Sequence, residues 1–279
     1  MPLAIGSAPF RSRTGRRSIE RHVAVRRGGS ALSNGNGRHG TPPPPSNGSV
    51  HRDRSTALRI TRALEKAWGV PQPRRRALAP LDALVATILS QHTSDANSAR
   101  AYRELKRRFP RWGLVAGSSP EDIAEAIRCG GLADQKALRI HQILQGLDGR
   151  FDMRQLRRMP NETALEHLCA LDGVGIKTAA CVLLFSLGRD VFPVDVHVHR
   201  VLTRVGLAHN SKSPEQTYER MVPAIPPGRA YSLHVNLVRL GRSLCRPTRP
   251  QCRRCPLLSM CSFASGKENP RVSRGALNR

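Results

Sequence analysis

HLCALDGVGIKTAACVLLFSL, residues 167–187, predicts two helices joined by a glycine turn, because apolar residues recur at helical spacing on both sides of Gly173, Val174 and Gly175. The two glycines permit positive φ angles and leave backbone N–H groups uncovered. The second helix begins directly after the turn, so its free N–H groups and positive dipole end point outward. Such an end holds a phosphate without reading a base. A plain corner between two helices is the alternative.

Lys177 lies in the first turn of this second predicted helix. The positive end of the helix and partial burial both disfavour a charged ammonium there, and the free amine is the form that attacks carbon. Arginine supplies 40 of the 46 basic residues, so a site that needed only charge would favour arginine, which keeps its proton. Lys177 is therefore a candidate nucleophile. A surface lysine that contacts a phosphate is the alternative.

The charge of the chain predicts its partner. A formal net charge of +26 over 279 residues attracts polyanions, and nucleic acid is the expected one. A ribosome-like protein with a basic tail is the alternative. Aromatic residues make up only 4%, which argues against a stacking platform for single strands. No apolar run reaches the ~18 residues of a membrane helix, so we expect no membrane partner.

Helical periodicity begins near residue 55, and the alternation typical of strands is absent, which predicts an all-α protein. SSPEDIAEAI (118–127) has a helix start signal, with Ser119 as cap and Pro120 in first position. A second helix is expected over Ala99 to Phe109, before Pro110. Further helices are expected near 81–89, 134–147 (ended by Gly149), 161–171, 196–206, 214–223 and 229–243.

Composition divides the chain into parts. An N-terminal extension with ten arginines, two acids and the run TPPPPSNG is expected to be disordered, since it buries too little apolar surface. It is read as a DNA-binding tail, with an organelle transit peptide or a misassigned start as alternatives. Composition therefore sets apart the extension 1–54 and a basic tail 266–279 from the helical part between them.

Asp195 follows a loop that contains Gly188 and Pro193, and it precedes a new helical period in GRDVFPVDVHVHRVL (188–202). Its structural role would be that of an N-cap. A capping carboxylate is also held rigidly, which suits a catalytic role if the loop returns towards Lys177. His197 and His199 are two residues apart, so they face different sides of a helix and are not expected to bind one metal.

Four of the seven cysteines lie within CRPTRPQCRRCPLLSMC, residues 245–261. Four thiolates in one short loop indicate a metal or a cluster in a reducing compartment. By chemistry alone, zinc and a [4Fe–4S] cluster both fit, although zinc ribbons usually have two closely spaced pairs. The candidate ligands are Cys245, Cys252, Cys255 and Cys261, with six, two and five residues between them. Cys129, Cys169 and Cys181 are expected to pack as small hydrophobes, and His234 and Asn236 to be structural.

Residues 171–197 resemble the endonuclease III family of the helix-hairpin-helix-GPD DNA glycosylase superfamily, in the hairpin LDGVGIKTA, the Gly- and Pro-containing loop and the segment VDVH. The resemblance implies that Lys177 attacks C1′ of a damaged nucleotide with the help of Asp195. A Schiff base and β-elimination of the 3′ phosphate would follow, as in a bifunctional glycosylase and AP lyase. The family usually has proline where this chain has Asp172, which implies a weaker grip on phosphate.

The resemblance extends over about residues 55–265 and implies two helical domains that flank a DNA-binding cleft. These are a hairpin domain, 74–189, and a second domain of 55–73 with 190–265. The resemblance also implies further sites. The cysteine spacing is that of the family, which implies a [4Fe–4S] cluster. ILSQHTSD (88–95) resembles the segment whose polar side chain fills the gap left by a flipped nucleotide, so Gln91 or His92 would enter the duplex. GGLADQKA (130–137) resembles the second inserted loop, with Leu132 at its tip. Ala133 and Asp134 replace bulkier or amide residues, which implies an altered lesion preference.

The sequence thus predicts a base excision repair glycosylase and AP lyase. Its expected partner is double-stranded DNA with damaged bases, chiefly oxidised pyrimidines, or with abasic sites, bound by a monomer. The expected location is the bacterial cytoplasm and nucleoid, or a eukaryotic nucleus or organelle. One alternative is a monofunctional adenine-mismatch glycosylase, which usually lacks the lysine and carries a further domain, whereas eighteen residues follow Cys261 here. The other is a non-enzymatic DNA-binding protein that senses structure or redox state.

Overall fold

The computed structural model describes residues 47–73, 75–150 and 152–266, and every regular element in these ranges is helical. The all-α prediction is therefore confirmed. The eleven α-helices of the described ranges are α1 Asn47–Trp68, α2 Pro80–Leu89, α3 Asp95–Arg108, α4 Trp112–Ala116, α5 Pro120–Ile127, α6 Ala133–Gly146, α7 Asn161–Cys169, α8 Ile176–Leu187, α9 Val196–Val205, α10 Pro214–Met221 and α11 Ala230–Ser243. The predicted extension up to residue 46 and the tail from residue 267 lie outside the described residues.

Helix α1 begins at Asn47, so residues 47–54 are helical and the predicted start of order at residue 55 is wrong. Side chains of this first part find partners far along the chain. Asp53 pairs with Arg220 at 3.2 Å, and Arg54 donates a hydrogen bond to the carbonyl of Pro223 at 2.8 Å. These distant contacts offset the ordering cost that composition alone suggested would prevent folding.

Local signals set several helix boundaries as predicted. The side chain of Ser119 accepts a hydrogen bond from the backbone N–H of Asp122, and Pro120 opens α5. Two details differ. Ala99 on α3 is exposed, because the buried face of that helix is formed by Ala101 and Leu105. Helix α6 ends at Gly146, three residues before the expected stop at Gly149, which instead adopts a positive φ in the following turn.

The helices pack around one connected apolar core. Helix α2 packs against α8, α5 against α6, and α9 against α11. Helix α1 packs against α11, so the first helix of the described residues joins the last ones. The division into two domains stays a prediction. No helix in the described ranges combines the length and apolar character needed to span a bilayer.

Candidate active site and nucleic-acid interface

The glycine hairpin joins α7 to α8, and its geometry differs from the prediction at two residues. Gly173 has φ +74°, but Gly175 has φ −91°, so a single left-handed residue turns the chain. The Val174 side chain is 4% exposed, and its N–H bonds to the carbonyl of Leu171 at 3.1 Å. Val174 therefore anchors the turn in the core, and neither its side chain nor its N–H is free to contact DNA, contrary to the prediction. No side-chain oxygen caps α8, so its first N–H groups remain available to an anion.

Asp195 is the N-cap of α9. Its Oδ1 accepts the backbone N–H groups of His197 at 2.9 Å and Val198 at 2.8 Å. Both bonds use the same oxygen, so Oδ2 is left for another interaction while the carboxylate is held in one orientation. The cap and the rigid placement that the sequence suggested are thus found in the same side chain.

Lys177 and Asp195 act on the same two buried side chains. Burial raises the pKa of the Cys181 thiol, while the ammonium of Lys177 opposes this increase and the carboxylate of Asp195 adds to it. Burial lowers the pKa of His234. The carboxylate of Asp195 opposes this decrease, and the ammonium of Lys177 adds to it. Such opposed effects require both charges to lie close to both groups, since electrostatic interactions weaken with distance. Lys177, Asp195, Cys181 and His234 therefore form one cluster, called here the lysine cluster.

His234 on α11 fixes the loop that leads to Asp195. It is 5% exposed, and its Nδ1 donates a hydrogen bond to the carbonyl of Pro193 at 2.8 Å. The rings of Phe185 and Phe192 pack edge-on against it, at centroid distances of 5.5 and 6.2 Å. The structural role predicted for His234 is confirmed, and its neighbourhood to Lys177 and Asp195 is an addition that the sequence did not indicate.

Three other polar residues also behave as predicted. Asn236 is 2% exposed and donates to the carbonyl of Gly69 at 3.4 Å, which is a structural contact. His197 accepts from the Arg200 guanidinium, whereas His199 bonds to the hydroxyl of Thr217 at 2.7 Å. The two histidines therefore have different partners, as expected for residues that face different sides of a helix.

The residues predicted to enter the duplex lie at two turns. Gln91 is half-buried, and its Oε1 accepts a hydrogen bond from Arg139 at 2.9 Å. His92 is exposed and left-handed, with φ +51°. Leu132 is 49% exposed, also has φ +51°, and directly precedes α6. An exposed apolar side chain on a left-handed residue is an uncommon combination that the core does not require.

The four cysteines of residues 245–261 line one open pocket. Arg204 on α9 donates to Sγ of Cys245 at 3.5 Å, and the thiol of Cys261 donates to the Arg204 carbonyl at 3.3 Å. Burial raises the pKa of the Cys255 thiol to about 11. In the part of the chain that the structure describes, no three His, Cys, Asp or Glu residues converge as ligands of one metal ion.

The donor set of four thiols suits either of two metal groups. A single zinc would draw four sulfurs to ~2.3 Å from one centre. In a [4Fe–4S] cluster each thiolate would bind its own iron. A metal centre would also displace the thiol protons, because thiolate is the ligating form.

Sequence reasoning missed several members of these sites. Cys181 follows Lys177 by four residues on α8, so helical spacing alone could have placed it beside the lysine. Lys136 is 4% exposed and contacts the turns that carry Gln91 and Leu132, and the half-buried Arg139 contacts Gln91 itself. No sequence pattern signals these last two contacts, because their partners lie on other elements.

The sequence of this chain matches a known protein family. The family model described as "HhH-GPD superfamily base excision DNA repair protein" matches residues 85–227. The Arabidopsis thaliana protein named "Putative DNA glycosylase At3g47830" is 38% identical over 165 residues, which are 58% of this chain and 56% of that protein. This chain thus spans little more than half the length of that relative.

This chain covers a larger share of a second relative and of one solved structure. Endonuclease III of Thermotoga maritima is 34% identical over 184 residues, which are 66% of this chain and 83% of the relative. Among solved structures, a trapped covalent intermediate of endonuclease III with DNA has a TM-score of 0.66 at 25% identity. That match covers 77% of this chain and 98% of the other.

Proposed function

The chain belongs to the HhH-GPD superfamily of base excision DNA repair proteins, and on this premise we propose that it is a DNA glycosylase with AP lyase activity, of the endonuclease III type. The observation that carries the proposal is the lysine cluster. Lys177 at the start of α8 and Asp195 at the start of α9 act on the same buried Cys181 and His234. These two residues supply an amine as nucleophile and a carboxylate that can assist it, as nucleophilic displacement of a base requires.

In the proposed reaction, the Lys177 amine forms a bond to C1′ of the flipped nucleotide, and the bond from C1′ to the base breaks. The base leaves with the bonding electrons and takes up a proton. The nitrogen gives up one proton to the departing base, the bond from C1′ to the ring oxygen O4′ then breaks with O4′ taking up a proton, and a protonated imine forms between Lys177 and C1′. Removal of a proton from C2′ breaks the bond from C3′ to oxygen, and the 3′ phosphate leaves.

Asp195 supports these steps through the oxygen that does not cap α9. Its Oδ1 is fixed by two backbone N–H groups, and Oδ2 can stabilise the positive charge that develops at C1′ as the base departs. The first N–H groups of α8 would hold a backbone phosphate close to the amine. Oxidised pyrimidines in duplex DNA are the proposed substrates, by similarity to endonuclease III.

Borohydride trapping on a duplex with one abasic site tests the lyase proposal. Wild type should give a covalent adduct, because borohydride reduces the imine. Lys177→Ala should give none, while Lys212→Ala, which removes an exposed lysine elsewhere, should still trap. If wild type binds the duplex without an adduct, the lyase proposal fails. Release of an oxidised base with an intact strand would then favour a monofunctional glycosylase, and binding alone would favour a non-enzymatic protein.

The four-cysteine pocket is the proposed site of a [4Fe–4S] cluster, held by Cys245, Cys252, Cys255 and Cys261. When bound, the cluster would supply one anionic centre that orders the loop and is balanced by nearby arginines. Purified wild type should contain iron and acid-labile sulfide and absorb visible light. Cys255→Ala should lose all three, whereas Cys129→Ala, at a half-buried cysteine outside the pocket, should keep them. Zinc in place of iron and sulfide would overturn the assignment.

A further inference from the structure

Two cations on helix α6 contact the turns that carry the residues expected to enter DNA. Lys136 is 4% exposed, and its Nζ donates to the carbonyls of Leu89 at 3.0 Å and Gly130 at 2.9 Å. Leu89 is the last residue of α2, and Gly130 ends the short 3-10 turn before Leu132. A buried ammonium between the carbonyl ends of two helical segments is well placed, since those ends carry partial negative charge. Lys136 therefore ties the two turns together.

Arg139 lies one helical turn after Lys136 and reaches the same region. Its Nη1 donates to Oε1 of Gln91 at 2.9 Å. Its side chain also lies directly over Gly173 of the hairpin, where an added Cβ would be 2.7 Å from Nε and 3.0 Å from Cδ. The glycine is thus needed both for its positive φ and for the close approach of this arginine. Arg139 connects the Gln91 side chain to the hairpin turn.

From these contacts we propose that Arg139 is a positioning residue that holds Gln91 in the orientation needed to enter the space of a flipped nucleotide, in fixed register with the hairpin. This inference rests on the proposed function and adds a residue to it. Extruding a nucleotide is costly, and a side chain that must first be ordered cannot offset that cost efficiently. Lys136 fixes the two turns, and Arg139 fixes the Gln91 amide. The Gln91 side chain is therefore already ordered in the folded protein before DNA binds.

A double-mutant cycle separates this role from a simple phosphate contact. The probe is a duplex with a tetrahydrofuran abasic analogue beside 2-aminopurine, whose fluorescence reports the stacking of the gap without any cleavage. Arg139→Ala should lower the equilibrium constant for insertion, derived from the fluorescence change at saturating protein, by roughly tenfold, the size expected for one hydrogen bond to a charged group. Gln91→Ala should have a similar effect. The double variant should be no worse than Gln91→Ala alone, because Arg139 acts through Gln91.

The controls define what would overturn the inference. Arg139→Lys should restore part of the signal, since an ammonium can still reach Gln91, and it guards against a folding defect in the alanine variant. Arg107→Ala removes an equal charge from a 79% exposed side chain and should leave the signal unchanged. Additive losses in the cycle, or a normal signal in Arg139→Ala, would refute the positioning role. Wild type could fail to trap on an abasic duplex while the losses of the Arg139 and Gln91 variants are still non-additive. That combination would refute the lyase proposal and leave the positioning role of Arg139 intact.

Discussion

Arg242 on α11 forms an ion pair with Asp95 at the start of α3, with Nη1 2.7 Å from Oδ2 and Nη2 3.3 Å from Oδ1. The two residues are 147 positions apart and belong to the two domains predicted from the sequence. Their side chains are 52% and 75% exposed, so solvent screens the pair and it contributes no more than about 1 kcal/mol to stability. A contact this weak cannot by itself hold α3 against α11.

We expect Asp95→Asn to raise duplex affinity up to about fivefold at low salt, because it frees Arg242 and removes a negative charge beside the segment proposed to enter DNA. The gain should shrink as salt is added. Titration of labelled duplex at several salt concentrations measures both effects. Asp152→Asn breaks another exposed pair, with Arg154 at 2.8 Å, and serves as the control. An equal gain in both variants would mean that only net charge matters.

Asp195→Asn should separate capping from catalysis. An amide oxygen can still accept the N–H groups of His197 and Val198, so the free energy of unfolding should stay within ~0.5 kcal/mol of wild type, whereas Asp195→Ala should lose about 1 kcal/mol. Both variants lack the charge, so single-turnover base release should fall by about 10² to 10⁴. Urea unfolding and quenched single-turnover assays measure the two quantities.

The matched control for Asp195 is another helix cap. Ser213 accepts the N–H of Gln216 at 3.3 Å at the start of α10. Ser213→Ala should cost about 1 kcal/mol of stability with the rate unchanged. If Asp195→Asn keeps the full rate, the negative charge plays no part in the reaction and Asp195 is a cap alone.

Local sequence signals account for the parts of the fold that were predicted. The cap at Ser119 and the start of α8 after the glycine turn depend on residues within one helical turn of each other. The cap at Asp195 is also local, which is why its rigid placement could be expected.

Tertiary contacts explain what the sequence did not indicate. Of the two carbonyls that Lys136 binds, that of Leu89 lies 47 residues away, and the Gln91 amide that Arg139 binds lies 48 residues away. Similarly, Val174 fits an exposed turn by pattern but is buried, since one left-handed glycine suffices to turn the chain. Partners on distant elements leave no periodic signal in a single sequence.

His234 should make the protein less stable in mild acid. Burial lowers its pKa below the ordinary value near 6.5, so the unfolded chain binds a proton that the folded one excludes. Stability is therefore fully present above about 6.5 and is lost as the pH falls below it, by at most about 1.4 kcal/mol per pH unit for this residue. Burial also lowers the pKa of His197 and His199, which adds to the same trend.

Urea unfolding at pH values about one unit above and below 6.5 tests this dependence. His234→Gln keeps an N–H donor for the Pro193 carbonyl but cannot be protonated, so its stability should change less between the two pH values. An identical pH dependence in the variant would show that His234 takes up its proton in the folded state without penalty.

Gly241 sets the distance between α11 and α9, and a methyl group there should disturb the lysine cluster. An added Cβ would be 2.8 Å from Cβ of His197 and 3.3 Å from its Cα and carbonyl oxygen. Because backbone atoms cannot move aside cheaply, Gly241→Ala should cost about 1–3 kcal/mol. It should also lower the rate of base release, since His197 lies two residues after Asp195 and their displacement would move the carboxylate.

Gly146→Ala, at the end of α6, meets nothing within 4 Å and should be neutral or up to about 1 kcal/mol stabilising. Thermal unfolding and single-turnover rates of both variants decide the matter: a Gly241→Ala protein with wild-type rate would mean that Asp195 tolerates a shift of α9.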